Sequence, residues 1–386
     1  MSNKIYYVNQ SACHFDRDII DVFVNRGYQV ILLTGNKSFK ATVNKQIRTV
    51  ILKKYNKNNH FYRFFSWLIF SLQVTLLLSF RNKCKVFLFS NPPLTIFIPL
   101  VLKLKEFALM IYDIYPDILI QTGFLSFNSP ISRMWINVNK KSFSRASVIF
   151  TIGNGLAERI SSLSNNKNII VNPLWTDTIK FIPIKKNENY FAKEYGLENS
   201  FVVMYSGNLG KTHDVEVILE LANNFLEDPA FKFLIIGEGY IKDLIAENLK
   251  KDNLYNCILL PKQSMEVLPY SLSCADVAVV SQATATAKSS IPSKLYNCMA
   301  VGSVILAITT EDSDLASIVK EHEIGANFKR NDISQMISFL RKLKNDNELL
   351  QRLKHNSRTA SKLFTKNNAE RIVQIWNNIK SESSNI

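Results

Sequence analysis

The sequence predicts an α/β protein built from two doubly wound parallel-sheet domains and a run of C-terminal helices. Three observations carry that expectation. Short apolar runs alternate with longer segments of helical period along most of the chain. Those runs are rich in Val, Ile, Leu and Phe on both faces, which suits interior strands of a parallel sheet. At 386 residues and 47% hydrophobic content the chain can bury more than one core and is not disordered.

The first series of expected strands is Lys4–Val8, Gln29–Leu33, Lys85–Phe89, Ala108–Tyr112, Ser147–Ile152 and Ile169–Asn172. Asn172–Ser200 mixes Pro, Asn and charge without a period and reads as a linker. A second series follows at Phe201–Tyr205, Lys232–Ile236, Ile258–Leu260, Asp276–Val280 and Val304–Ile308. Helices are expected at Asp16–Arg26, Asp214–Asn224, Lys242–Lys251 and Pro292–Ala300, and Asn331–Ile379 reads as helices alone. The expected domains are therefore 1–178 and 179–386, with the last helix, 367–383, a candidate to cross back to the first.

Phe64–Phe80 carries no charge over 17 residues. A membrane span needs about 20 apolar residues, and Ser66, Ser71, Gln73, Thr75 and Ser79 interrupt this one. It reads as a helix buried in or on the N-terminal domain. Lys53, Lys54, Lys57, Arg63, Arg81, Lys83 and Lys85 flank it, with Lys103 and Lys105 beyond, and residues 51–100 hold no acid. Monotopic contact with an anionic bilayer fits that edge better than a span.

Charge points the same way. Residues 1–180 hold 23 Lys and Arg against 8 Asp and Glu, while 181–386 hold 24 of each, so one half carries the whole net charge of +15. The partner this implies is polyanionic. Nucleic acid would call for a recognition motif with aromatic and basic residues interleaved, and Asn56–Arg63 is only a faint approach to one, so no nucleic-acid partner is expected. The five cysteines are scattered without a CxxC pair, and the start MSNKIYYVNQ has no basic-then-apolar signal pattern. Both fit the cytoplasm.

Three turns in the second half carry chemistry. In FVVMYSGNLGKTHDVEVIL a strand runs into Gly207, Asn208 and Gly210, and Lys211 and His213 add positive charge before a helix. Glycines there let backbone N–H groups approach a phosphate. In LIIGEGY, Gly237 and Gly239 again join a strand to a helix. Two such turns in neighbouring units favour one shared crevice at the strand carboxyl ends. In SSIPSKLYNCMAVG, Pro292 suits a helix start and Ser293 and Lys294 follow it. A lysine at a helix start opposes the helix dipole unless it meets an anion, so Lys294 is flagged.

The order GNLG, LIIGEGY, the Ala275–Asp276 pair of SCADVAVV, and IPSKLYNCMAVG resembles family 4 glycosyltransferases of the GT-B fold, with two Rossmann-like domains facing a cleft. FSNPPLTIFIPL followed by YDIYPDILIQTGF resembles the branch that builds O-antigen and capsule, including N-acetylfucosamine-type transferases. The resemblance implies a retaining hexosyl transfer from a UDP-linked sugar, such as an N-acetylated deoxyhexosamine, to a lipid-diphosphate-linked saccharide. It implies a bacterial enzyme, peripheral or monotopic at the inner face of the cell membrane. By position, Gly207, Asn208, Gly210, Lys211, His213, Gly237, Gly239, Lys262, Gln263, Ser293 and Lys294 would hold the donor. Ser11, His14, Asn91, Asp113 and Asp117 would lie on the acceptor side. Asp113, Lys211 and Lys294 are the expected catalytic residues, with Asp113 the candidate base.

Many members carry two glutamates eight residues apart, where this chain has Ser289 and Asn297. That departure bears on the donor. No carboxylate cluster or His/Cys spacing calls for a metal or other cofactor, and lysines with oriented N–H groups would stabilise the departing diphosphate. A UDP-N-acetylhexosamine 2-epimerase of the same fold and a catalytically silent membrane-bound scaffold are the alternatives.

Overall fold

The structure, a computed structural model, describes residues 3–39, 46–56, 59–81, 84–210 and 214–383. The chain forms two compact units, one of residues up to Leu174 together with those from Lys366, the other Trp175–Thr365. The ordered set of two parallel-sheet units with C-terminal helices is that of the GT-B fold.

In the first unit the strands are β1 (Lys4–Val8), β2 (Gln29–Thr34), β3 (Ile47–Ile51), β4 (Lys85–Phe89), β5 (Phe107–Ile111), β6 (Val148–Thr151) and β7 (Ile169–Val171). Their spatial order is β3-β2-β1-β4-β5-β6-β7, with every neighbouring pair parallel. Winding runs outward from β1 in one direction and from β4 in the other, which leaves a switch point between them. The rings of Tyr7, Phe87, Phe89 and Phe150 pack along the sheet at 4.9–6.0 Å between centroids. Helix Asn367–Ser383 closes this core: Trp376 meets Phe23 edge-on at 5.5 Å and Phe87 at 5.4 Å, and the Tyr28 hydroxyl donates to Asn377 Oδ1 at 2.7 Å. Those contacts are why the end of the chain belongs with its beginning.

The second unit's strands are β8 (Phe201–Asn208), β9 (Phe231–Glu238), β10 (Cys257–Leu260), β11 (Val277–Ser281), β12 (Val304–Ile308) and β13 (Gly325–Phe328). Their order is β10-β9-β8-β11-β12-β13, again parallel, and the switch point falls between β8 and β11. The unit begins at Trp175 and not near 178, because Thr176 N–H donates to the Phe364 carbonyl at 3.0 Å and its Oγ1 to Asn297 Oδ1. The expected linker is more ordered than its composition suggests. It holds a helix at Tyr190–Glu194, and Lys186 pairs with buried Asp276. Two strands escaped the sequence reading, β3 and β13. Both are edges: IRTVI is half-exposed, and GANF has few strand-forming side chains.

The uncharged segment is one helix, His60–Ser79, whose start is capped by Asn59 Oδ1 accepting from Tyr62 N–H at 2.9 Å. Ser66, Trp67, Phe70, Val74 and Leu78 form its buried stripe, while much of the opposite face is exposed. It lies on the first unit and is not buried within it. Of its expected basic flank, Lys57 and Lys83 lie outside the described residues.

Candidate functional site

At the second unit's switch point the carboxyl ends of β8 and β11 part and leave a cavity of about 260 Å³. Gly207 and Asn208 line it from β8, Ser281 and Gln282 from the end of β11, and Thr286, Ser290, Pro292, Ser293 and Lys294 from the segment that follows. Ligand pockets usually span about 300–1,000 Å³, so this one is sized for a small group and not for a large ligand. Seven of its nine lining residues carry a hydroxyl, an amide or an ammonium. Such groups suit a compact polar ligand.

Lys294 dominates the electrostatics. It opens helix Lys294–Ala300, and its Nζ is buried without a hydrogen-bond partner among the described residues. The ammonium lies 3.4 Å from the centroid of the Tyr205 ring, where the ring's negative face partly replaces lost water. Burial still pushes the group down to about 7 from its ordinary value near 10.5. Gly207 makes room for it, since a Cβ there would sit 3.1 Å from Nζ. The Tyr205 hydroxyl donates to the Asn208 carbonyl at 2.7 Å, tying the ring under the lysine to the turn above it. A buried cation with no anion is an incomplete arrangement, and a phosphate would complete it.

Gln282 organises the other wall. Its Nε2 donates to the Thr286 carbonyl at 2.9 Å and to Ser290 Oγ at 3.0 Å, which folds the loop before Pro292 over the cavity. Ser289 is buried and donates to the Thr286 carbonyl at 3.2 Å, and Asn297 is engaged by Thr176. Neither lines the cavity. Tyr205, Ser281, Gln282 and Thr286 were not singled out from the sequence, and Ser290 only as a candidate cap for the helix that follows. Gln282 left one signal, a buried amide directly after an apolar strand.

The other expected donor residues divide. Gly207, Asn208, Ser293 and Lys294 meet at the cavity. Gly210 lies just beyond, and a Cβ on it would meet Asn208 Nδ2 at 2.8 Å. Gly237 and Gly239 serve close backbone approach: a Cβ at Gly237 would fall 1.9 Å from the Gly207 carbonyl oxygen, and one at Gly239 2.3 Å from that of Leu209. Lys262 is exposed and Gln263 bonds the Pro261 carbonyl, both outside the cavity lining. Lys211 and His213 lie outside the described residues.

In the first unit the adjacent ends of β1, β4 and β5 bring Ser11, Asn91 and Asp113 to one sheet edge. Gln10 N–H donates to the Asn91 carbonyl at 2.9 Å, and the N–H groups of Tyr112 and Asp113 donate to Ser90 Oγ at 3.0 and 3.3 Å. Desolvation raises the Asp113 carboxyl to about 6. The loop Ser11–His14 is fixed by Asp16, whose buried carboxylate accepts from Tyr7 Oη at 2.9 Å, Asn9 Nδ2 at 2.8 Å and Cys13 N–H at 2.7 Å. Burial lowers the His14 imidazole, whose ring leans on Phe15. Asp117 is held by Arg159 in a two-pronged ion pair at 2.5 and 3.2 Å, a structural engagement.

Comparison with known proteins places a family match on the same unit. Residues 186–360 match the family described as glycosyl transferases group 1. Among curated proteins, WbjE of Pseudomonas aeruginosa, described as a probable glycosyltransferase, is 23% identical over 228 residues, 59% of this chain and 57% of that protein. WcaI of Escherichia coli strain K12, provisionally named a colanic acid biosynthesis glycosyl transferase, is 30% identical over 138 residues, 35% of this chain and 34% of that protein. The matches thus span about half or less of those relatives' lengths. Among solved structures, sucrose-phosphate synthase (tll1590) of Thermosynechococcus elongatus aligns over 98% of this chain and 99% of that one, with a TM-score of 0.77 and 14% identity. Anabaena Alr3699/HepE in complex with UDP-glucose aligns over 99% and 100% with a TM-score of 0.71 and 13% identity. WaaG, involved in lipopolysaccharide biosynthesis, aligns over 96% and 99% with a TM-score of 0.71 and 14% identity. At such identities these neighbours speak to the fold.

Proposed function

We propose, from a second unit that carries the group 1 glycosyl transferase match and from its lysine-lined cavity, that this chain is a retaining glycosyltransferase of bacterial surface polysaccharide synthesis. It takes a hexosyl group, such as an N-acetylated deoxyhexosamine of the N-acetylfucosamine type, from a UDP-sugar and delivers it to a lipid-diphosphate-linked saccharide. The observation that supports this reading best is Lys294 Nζ, buried at the cavity with no partner among the described residues. Structures of Alr3699/HepE with UDP and with UDP-glucose lend the donor class, and the polysaccharide role of WcaI lends the product class.

In this reading the donor diphosphate lies against Lys294 and the Gly207–Asn208 turn. As the sugar–phosphate bond breaks, negative charge gathers on the departing diphosphate, and a pre-positioned ammonium stabilises it in a site poor in water. The acceptor oxygen forms the new bond on the face the diphosphate leaves, which retains configuration. Its proton goes to a phosphate oxygen or to Asp113, the protein's candidate base. The charge carrier is Lys294, so a divalent ion is not invoked.

A thermal-shift titration with UDP, GDP, ADP and free nucleosides tests this. The expected result is a rise in unfolding temperature with UDP, absent with uridine and lost in Lys294→Ala. A rise with another diphosphate alone would change the donor. No response to any diphosphate would sink the reading.

A further inference from the structure

We propose that the second unit carries a self-association face, centred on Ile179 and the Tyr190–Tyr270 pair, by which two copies of this chain join as an isologous dimer. The proposal stands on the geometry and charge of that face and does not depend on the chemistry assigned to the cavity.

Ile179 stands at the tip of a tight turn and is 89% exposed, although isoleucine is among the residues most often buried. On a loose loop one such side chain would need no explanation. This turn is fixed from both sides. Asp177 Oδ1 accepts from the N–H groups of Ile179 and Lys180, both at 3.1 Å, and the Phe181 N–H donates to the Asp177 carbonyl at 2.8 Å. Arg358, on helix Asn347–Ser361, donates to the carbonyls of Thr178 at 3.0 Å and Phe181 at 2.9 Å. The Phe181 side chain is buried at the foot of the turn. Ile179 is therefore displayed in one position, and little ordering remains for a partner to impose.

The surroundings extend the knob into a face. Ser273 Oγ donates to the Ile182 carbonyl at 3.0 Å, which joins the exit of the turn to helix Leu268–Ser273. Tyr270 on that helix packs against Tyr190, the first residue of helix Tyr190–Glu194, with 4.6 Å between ring centroids. The Tyr270 carbonyl accepts from Asn189 Nδ2 at 2.8 Å, so the two helices are tied together as well as stacked. Ile182, Tyr190, Tyr270 and Met265, which lies just before the second helix, are all exposed. Tyrosine and methionine are enriched at the centres of protein interfaces, and apolar groups gathered on a surface mark a place that a partner covers. Helix Tyr190–Glu194 leads into β8 and Leu268–Ser273 into β11, so the face lies toward the amino ends of the strands whose carboxyl ends form the cavity. Two copies joined here leave both cavities open.

Charge decides what covers this face. Along 179–194 and 264–270 the exposed charged residues are Lys180, Lys185 and Lys193 against Glu188, Glu194 and Glu266, three of each sign. An anionic surface or a nucleic acid calls for a patch of one sign, which this is not. A balanced, mixed rim is instead complementary to its own image after a half-turn. In an isologous contact each pairing occurs twice, so Ile179 of either copy meets the tyrosine pair of the other. A second copy thus supplies both complements, an apolar centre and opposite charges at the rim.

Sedimentation equilibrium of the full chain over a wide concentration range tests this. The mass should rise with concentration from 44.2 kDa toward twice that value. Ile179→Asp should weaken association by about tenfold or more, since the change enters the contact twice. Its unfolding midpoint in dilute solution should match wild type, because the side chain is exposed. Lys180→Glu/Lys185→Glu leaves one lysine against five glutamates at the rim, and should weaken association several-fold at low salt and much less at high salt. A mass of 44.2 kDa at every concentration would overturn the proposal, as would a dimer that Ile179→Asp leaves intact. So would a dimer that Leu72→Asp dissolves, which would put the contact on helix His60–Ser79 of the first unit.

Discussion

The second unit buries two lysine environments, and they are opposites. Lys186 and Lys354 both close on Asp276, which also accepts from the Val202 N–H at 2.8 Å. Burial works to raise that carboxyl, but the two lysine charges outweigh it and hold it below its ordinary range. This cluster ties the segment before β8 and helix Asn347–Ser361 to the start of β11. Lys294, one strand-length away at the other end of the sheet, has a ring beneath it and a cavity beside it, with no carboxylate partner among the described residues. A paired buried charge holds a fold together, whereas an unpaired one costs stability and marks a place where a ligand is to bring the counter-charge.

The largest effect should separate the two. Lys294→Met should lower transfer by about 10²–10³-fold, the usual cost of removing one stabiliser of developing charge, while leaving the unfolding midpoint equal to wild type or higher. Activity within a few fold of wild type would place the diphosphate elsewhere. Asp276→Asn should do the reverse, losing about 3 kcal/mol of stability by stranding two lysines, with UDP affinity of the folded protein unchanged. A denaturant series read beside calorimetry distinguishes them. Equal stability losses in both variants would erase the contrast.

A pH series sharpens it. Burial holds the free Lys294 ammonium near 7 and an adjacent diphosphate would favour its charged form, so UDP binding there above that value would take up a proton. Affinity should therefore fall as pH rises from 7 to 9, by at most about tenfold per unit, and Lys294→Met should flatten that fall. The same depression means the unfolded chain holds a proton that the folded chain has lost, so this group makes the unliganded protein more stable with rising pH between about 7 and 10. For turnover, Asp113 near 6 would have to lose its proton to act as a base, which sets a rising limb of kcat/KM there. Asp113→Asn should remove that limb and leave the falling one.

How much of this was legible follows from how local each signal is. The strands facing both layers announced themselves as apolar runs, and the positions of Gly207 and Lys294 at strand and helix ends flagged a site before any geometry. Edge strands β3 and β13 did not, because a half-exposed edge needs no apolar run. Asp276 was visible only as half of an Ala-Asp pair; its partners stand 90 and 78 residues away and no pattern of spacing links them. The pairing of Asp117 with Arg159, 42 residues on, was invisible for the same reason. The exposed face of helix His60–Ser79 was hidden differently. Apolar residues all round a helix say that it avoids water but not which side the protein covers.

Tyr205 carries the smallest and most discriminating prediction. From the sequence it is one more apolar position in a strand, and only the fold shows its ring under the Lys294 ammonium. If the ring face matters, Tyr205→Phe should keep UDP affinity within about twofold, since a phenyl ring retains most of the cation–π attraction of about 0.5–2 kcal/mol. Tyr205→Leu stays apolar but removes the ring and its attraction, so it should weaken UDP binding several-fold and move the pH at which binding begins to fall. The expected direction is downward, because a lysine without the ring is harder to keep charged. The hydroxyl's bond to the Asn208 carbonyl gives the contrary case. If Phe is as damaging as Leu, the tyrosine serves by fixing the turn, and Lys294 needs no help from the ring to wait for its anion.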